Sequence, residues 1–279
     1  MAIYAGYPLA YRNSPEDRPY DCGVRISRPS AVLAVTLFCV LVVAQLVYPQ
    51  VPDRWTMPMT ALTVMLFLGA SVAAAWHRSG PRYALCLAGL AFLVGLLSEI
   101  AGVHTGIPFS TYAYTDALQP QLFDVPIVIP LAWAMMAYPA WRIGELLGST
   151  PVTRALFAAG ALTAWDVALD PQMVGLGIWE WPNGGAYFGI PLINFAGWFL
   201  VGSILFGWWA FAERGSAHPG DDRLGNLLGP ALFAWTWIGE TVAHALFFEG
   251  RGVALASFLA MGAFTVPALL RLRRQERAR

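Results

Sequence analysis

Five ionisable side chains sit inside stretches of chain that are otherwise apolar: Glu99, Asp166, Asp170, Glu240 and His244, with His104 just beyond. Each costs at least a few kcal/mol at the centre of a bilayer, so each marks a candidate functional position. Their spacing groups them. Thr163, Asp166 and Asp170 fall at i, i+3 and i+7 and share one stripe of a helix; Trp237, Glu240 and His244 repeat the pattern, and Asn194 lies one turn from Trp198. A carboxylic acid enclosed by aromatic side chains can hold its proton near neutral pH, because low dielectric penalises the charged form, and can then donate it. Tryptophan and tyrosine faces attract a carbocation by about 2 kcal/mol or more when desolvated. A second carboxylate or a histidine could orient a water. That set suits cofactor-free, proton-first addition to an isoprenoid alkene, or its rearrangement.

Composition removes other chemistries. Every one of the 17 basic residues is arginine, so no lysine is present for a Schiff base or a phosphate-binding loop. No G-x-G-x-x-G opens a helix, so a dinucleotide site is not expected. Four scattered histidines do not make the clustered boxes of a membrane di-iron hydroxylase, and prenyl transfer would need Asp-rich magnesium motifs with basic partners. Cys22, Cys39 and Cys86 lack the spacing of a zinc site or a disulfide framework. A metal held by the five ionisable residues stays open, but the acid–base reading calls for no metal and no cofactor. Zero net charge without a basic block argues against nucleic acid.

The elements that must position these groups are membrane helices. The 279 residues are 57% hydrophobic and 12% charged, against about 25% charged in a soluble domain. Eight runs are long enough to span a hydrocarbon core: 30–48, 57–76, 82–101, 125–142, 152–170, 190–212, 227–248 and 252–270. The expected architecture is an all-α polytopic bundle of about eight transmembrane helices over 30–270. A cytoplasmic segment, 1–29, precedes it, and an Arg-rich cytoplasmic tail, 271–279, follows. With eight spans, 15 of the 17 arginines fall on one side and only Arg54 and Arg251 on the other. Arginine-rich segments stay inside, so both termini are predicted to be cytoplasmic in an integral protein of the cell membrane. All the ionisable candidates then lie toward the outer leaflet.

Two predicted outer loops, 102–124 and 171–189, hold no Lys or Arg and are rich in Gly, Pro and aromatics, among them Tyr112, Tyr114, Trp179, Trp181 and Tyr187. They read as covers over the pocket, re-entrant or interfacial. Blander readings accompany these. Any single aromatic could belong to the interfacial belt, Asp170 before Pro171 could be a solvated helix end, and Glu240 with His244 could be an ordinary intrahelical pair. His77 and His218 read as solvated loop residues.

Particular strings resemble the membrane carotenoid-biosynthesis protein family. One is Glu99-Ile-Ala-Gly-Val-His-Thr-Gly-Ile-Pro-Phe109 with Tyr112-Ala-Tyr114 and, further on, Pro130-Leu-Ala-Trp133. The other is Ala164-Trp165-Asp166-Val-Ala-Leu-Asp170-Pro-Gln-Met with Trp179-Glu-Trp181 and Asn194-Phe-Ala-Gly-Trp198. Ser110 stands where glycine is expected after the Pro-Phe pair. The resemblance implies hydration of the terminal double bond of an acyclic carotenoid end, giving a tertiary alcohol, with the carotenoid and the bilayer as partners and other pathway enzymes as possible associates. Placed on that reaction, Asp166 or Asp170 is the proton donor. Trp165, Trp179, Trp181 or Trp237 holds the cation, and Glu99, or Glu240 with His244, positions water. Tyr112 and Asn194 orient, and Trp133 and Trp198 complete the binding surface. A cyclase or isomerase using the same first step, and a carotenoid-binding or transport protein, are the alternatives.

Overall fold

A computed structural model describes residues 28–213, 222–248 and 250–278, so all of the predicted N-terminal segment except Arg28 and Pro29, and His218 in the sixth joint, lie outside the described residues. Eight helices follow one another: α1 (Arg28–Val47), α2 (Thr56–Ser79), α3 (Pro81–Thr105), α4 (Val128–Leu147), α5 (Pro151–Gly175), α6 (Leu192–Ala212), α7 (Arg223–Leu246) and α8 (Arg251–Arg277). They coincide with the eight apolar runs to within five residues, except that α8 continues to Arg277 and takes in most of the predicted Arg-rich tail. Local chemistry sets their ends. Gly80 turns between α2 and α3 at φ 91°, and Pro81 opens α3 where a missing N–H costs nothing. Thr150 caps α5 by accepting the Thr153 N–H, and Asp222 caps α7 by accepting from Leu224 and Gly225.

Six of the eight helices are long and apolar enough to cross a membrane. The exceptions are α4 and α7. α4 is the innermost helix, buried along almost all of its length against α2, α3, α5, α7 and α8. A helix enclosed by other helices can carry polar groups where a lipid-facing one cannot. α4 carries Arg142 and Glu145, which pair one turn apart.

Contacts between the joints show an up-and-down arrangement. At one end, Arg78 bonds Asn226 (3.2 Å) and faces Glu145 (3.7 Å), while Arg271 donates to the Leu146 and Leu147 carbonyls (3.0 and 2.8 Å). His77, expected to be solvated, is instead buried there between Ser30 and Asp222, because the start of α1 and the cap of α7 close over it. The described arginines gather at this end, with Arg54 and Arg251 apart from them at the opposite joints.

At that opposite end the two long loops join. Ala113–Tyr114 and Trp179–Glu180 pair as a short antiparallel ribbon, with Tyr114 opposite Trp179. The Thr115 N–H extends it by donating to the Ile178 carbonyl (2.9 Å).

One boundary differs in a way that matters. The expectation places Asp170 at a helix end, but α5 continues through Pro171 to Gly175 and buries Asp170. Proline cannot donate to the carbonyl four residues back, Val167. The Tyr187 hydroxyl supplies that missing hydrogen bond at 2.9 Å, so the helix is carried past its proline by a loop side chain.

Candidate active site

The loop end of the bundle encloses a cavity of about 600 Å³. Six tryptophans line it: Trp133, Trp165, Trp179, Trp181, Trp198 and Trp235. Trp133 and Trp198 stack at 4.2 Å between centroids and 11° between planes, and Trp165 meets Trp198 edge-on. Three carboxyl groups open onto this aromatic interior, those of Glu99, Asp170 and Glu240.

Glu99 is the most tightly held. Its Oε2 accepts from the Tyr112 hydroxyl at 2.5 Å and the Tyr114 hydroxyl at 2.7 Å, and its Oε1 accepts from the Trp133 indole N–H at 3.1 Å. Burial, followed by the neighbouring Glu99 carboxylate, holds both phenols well above the ordinary tyrosine range, so both remain donors. A carboxylate has about four acceptor sites. Three are filled, and the fourth, on Oε1, has no partner among the described residues.

The sequence of α3 explains how three donors reach one carboxylate. Gly95 and Gly102 stand one turn before and almost one turn after Glu99 on the same helix face. A Cβ at Gly95 would lie 2.6 Å from the Trp133 ring, and one at Gly102 would lie 2.8 Å from the Tyr112 hydroxyl oxygen. Both donors approach through space that only glycine leaves.

Asp166 and Asp170 form the second cluster. The Asn194 side-chain amide, in the first turn of α6, donates to Asp166 Oδ2 at 3.0 Å and to Asp170 Oδ2 at 2.5 Å. Asp166 Oδ1 is buried with no hydrogen-bond partner among the described residues. Two buried carboxyl groups bridged by one amide are placed to hold one proton between them. Only Asp170 lines the cavity, with Asp166 fully buried behind it.

The remaining candidates divide. Trp165, Trp179, Trp181, Trp198, Trp133, Tyr112 and Asn194 line the same cavity as Glu99 and Asp170. Trp237 does not: its indole donates to the Phe258 carbonyl (2.9 Å) and stacks on Phe258 of α8. His244 is bonded through Nε2 to the Ala168 carbonyl at 2.9 Å, and so ties α7 to α5 instead of pairing with Glu240. Glu240 faces the cavity with no hydrogen-bond partner among the described residues. His104 lies 3.7 Å from Asp124, away from the cavity lining. Among the described residues no three His, Cys, Asp or Glu side chains cluster closely enough to share a metal ion.

Two residues outside the candidate set belong to the site. Tyr114 is the second phenol on Glu99, and Trp235 occupies the cavity-facing place on α7 that the i, i+3, i+7 stripe assigned to Trp237. The glycines flanking Glu99 at helical spacing were a readable sign of close aromatic approach. Nothing in the sequence distinguished Trp235 from Trp237.

Bisanhydrobacterioruberin hydratase of Haloarcula japonica is 33% identical over 113 residues, which is 38% of this chain and 38% of that protein. The chain therefore aligns with well under half of that curated relative's length. No solved structure matches. The profile described as carotenoid biosynthesis protein matches residues 56–263, from the start of α2 into α8 and across every element of the cavity except α1 and the 48–50 turn. The chain belongs to the carotenoid biosynthesis protein family.

Proposed function

We propose that the protein is a cofactor-independent hydratase that adds water across the terminal double bond of an acyclic carotenoid end. The observation that carries this reading is one tryptophan-lined cavity holding two different carboxyl environments: an aspartate pair bridged by Asn194, and a separately caged Glu99 with one acceptor site open. Asp170 transfers the shared proton to the inner, less substituted carbon of the terminal double bond, which leaves a tertiary cation on the outer carbon, and Asp166 and Asn194 take up the charge left behind. The tertiary cation lies against indole faces, worth about 2 kcal/mol or more in a dry site. A water bonded to the open Oε1 site of Glu99 attacks the cation and gives its proton to Glu99. The product is a tertiary alcohol, and return of that proton to the aspartate pair resets the site.

The surrounding architecture is part of the proposal. All eight helices of the 30–270 bundle cross the cell membrane, including α4 and α7, with the arginine-rich end and both termini, 1–29 and 271–279, in the cytoplasm. The cavity then opens near the outer leaflet, where an apolar polyene is dissolved. The substrate is an acyclic carotenoid, and other enzymes of carotenoid synthesis are the expected neighbours.

The test is expression in a host accumulating lycopene, with mass spectrometry of the extracted pigment. The expected product carries one or two added waters, and Asp170→Asn abolishes it while the protein still inserts. An altered pigment of unchanged mass would replace hydration with isomerisation or cyclisation. Full hydration by both Asp166→Asn and Asp170→Asn would remove α5 from the mechanism.

A further inference from the structure

The cavity wall is interrupted on one side. α1 and α7 are tied by a hydrogen bond from the Trp235 indole to the Gln45 side-chain carbonyl at 2.5 Å. Beyond that tie α1 stops at Val47, whereas α7 continues to Leu246, about 16 Å further at 1.5 Å per residue. No helix of α1 lies beside those last turns. The 48–50 turn that replaces it is pinned to α2: Thr60 spends its one hydroxyl hydrogen on the Thr56 carbonyl, so the Tyr48 hydroxyl donates to Thr60 at 2.7 Å. The gap thus has a floor at Gln45–Trp235, one fixed side at the 48–50 turn, and the upper half of α7 as the other.

Residues around this gap face two ways. Leu46, Ile238 and Val242 line the cavity and are also 60%, 52% and 44% exposed on the outside of the bundle. Their outer neighbours Val43 and Leu246 are apolar and exposed, as a lipid-facing surface requires. Midway up the α7 side sits Gly239, which lines the cavity and whose added Cβ would meet nothing within 4 Å.

Building on the hydratase reading, we propose that the acyclic chain end enters sideways from the lipid through the gap between the 48–50 turn and α7, and that Gly239 sets its width. An end entering here needs no passage through water and reaches Asp170 and Glu99 within the same cavity. No close packing calls for glycine at this position, since an added Cβ would stand in open space.

The experiment fills the gap in steps with Gly239→Ala, Gly239→Leu and Gly239→Trp. Gly207→Trp is the control, since Gly207 on α6 is exposed, meets nothing within 4 Å and lies off the cavity. Two quantities are read: hydrated product formed, and acyclic carotene retained by purified protein. The expected result is a graded loss reaching about tenfold or more in both quantities for Gly239→Trp, with Gly207→Trp like wild type. Wild-type hydration matched by Gly239→Trp overturns the portal and leaves the hydratase reading standing. Pigment retained by wild type without chemistry, and lost in Gly239→Trp, overturns the hydratase reading and keeps the portal. A wild-type protein that neither hydrates nor retains the polyene overturns both.

Discussion

Replacing Glu99 by glutamine separates the residue's chemical role from its structural one, and the structure gives the size of each. The carboxylate satisfies three buried donors, from Tyr112, Tyr114 and Trp133. Glu99→Leu would strand all three. At about 1–3 kcal/mol per orphaned donor, that total reaches the 5–15 kcal/mol that holds a typical domain together, so leucine tests folding and little else. Glutamine keeps the shape and one acceptor oxygen. Turned so that its carbonyl oxygen faces the two tyrosines, which share Oε2, it leaves only the Trp133 N–H unsatisfied, a cost of about 1–3 kcal/mol. The protein should therefore fold with a modestly lowered melting temperature. What glutamine cannot do is accept a proton from the attacking water. Loss of a positioned base slows reaction by about 10²- to 10⁴-fold. The assay pairs thermal unfolding of purified protein in lipid with the rate of hydrated carotenoid formation. Glu99→Gln that folds and hydrates at the wild-type rate would refute the role given to Glu99.

Three further outcomes follow from particular contacts. Gly95→Ala should destabilise the protein and slow hydration together: a Cβ 2.6 Å from the Trp133 ring and 2.8 Å from its Cβ cannot be relieved by rotating the indole, and overpacking of this kind costs about 1–3 kcal/mol. Gly89→Ala on the same helix, where nothing lies within 4 Å, should raise stability by about 0.5–1 kcal/mol, so melting temperatures of the two variants should move in opposite directions. Ser110, which stands where glycine was expected, adopts φ 76°, and Ser110→Gly should raise the melting temperature by removing a left-handed strain of about 1–2 kcal/mol, less the entropy glycine loses on folding. Burial, with smaller contributions from Asp166 and Asp170, pushes the Tyr187 hydroxyl up to about 12 from 10.0. Its stabilising effect is complete below pH 10, falls as the unfolded chain alone ionises, and is lost as pH rises through about 12; Tyr187→Phe should flatten that alkaline decline in an unfolding series.

The helices were legible because their cause is local. Runs of about 20 apolar residues broken by Gly80-Pro81 or Pro151 define elements whatever they pack against. The polar residues within those runs were legible for the same reason, since each is an anomaly against its neighbours. What a linear pattern does not carry is the partner each helix face meets. The stripe of Trp237, Glu240 and His244 divides in the fold: Trp237 meets α8 and His244 meets α5, while Glu240 faces the cavity with Trp235 and Gly239. His77 follows the same logic: its neighbours Ser30 and Asp222 come from the start of α1 and the cap of α7. Pro171 reads as a stop until Tyr187, sixteen positions further on in the chain, is known to mend the helix it interrupts. The cage around Glu99 combines both kinds of information. The glycines beside it are written in α3, but the identity of the donors depends on loops that fold back through the pairing of Tyr114 with Trp179.

The most direct test of the central claim is incubation of the protein with an acyclic carotene in water enriched in heavy oxygen, followed by mass spectrometry of the product. Proton-first hydration predicts one heavy oxygen in every new hydroxyl group, and, in a parallel run in heavy water, one deuterium on the chain carbon next to the one that bears the hydroxyl. A hydroxyl that carries oxygen of ordinary mass, or a product without the deuterium, would contradict the account.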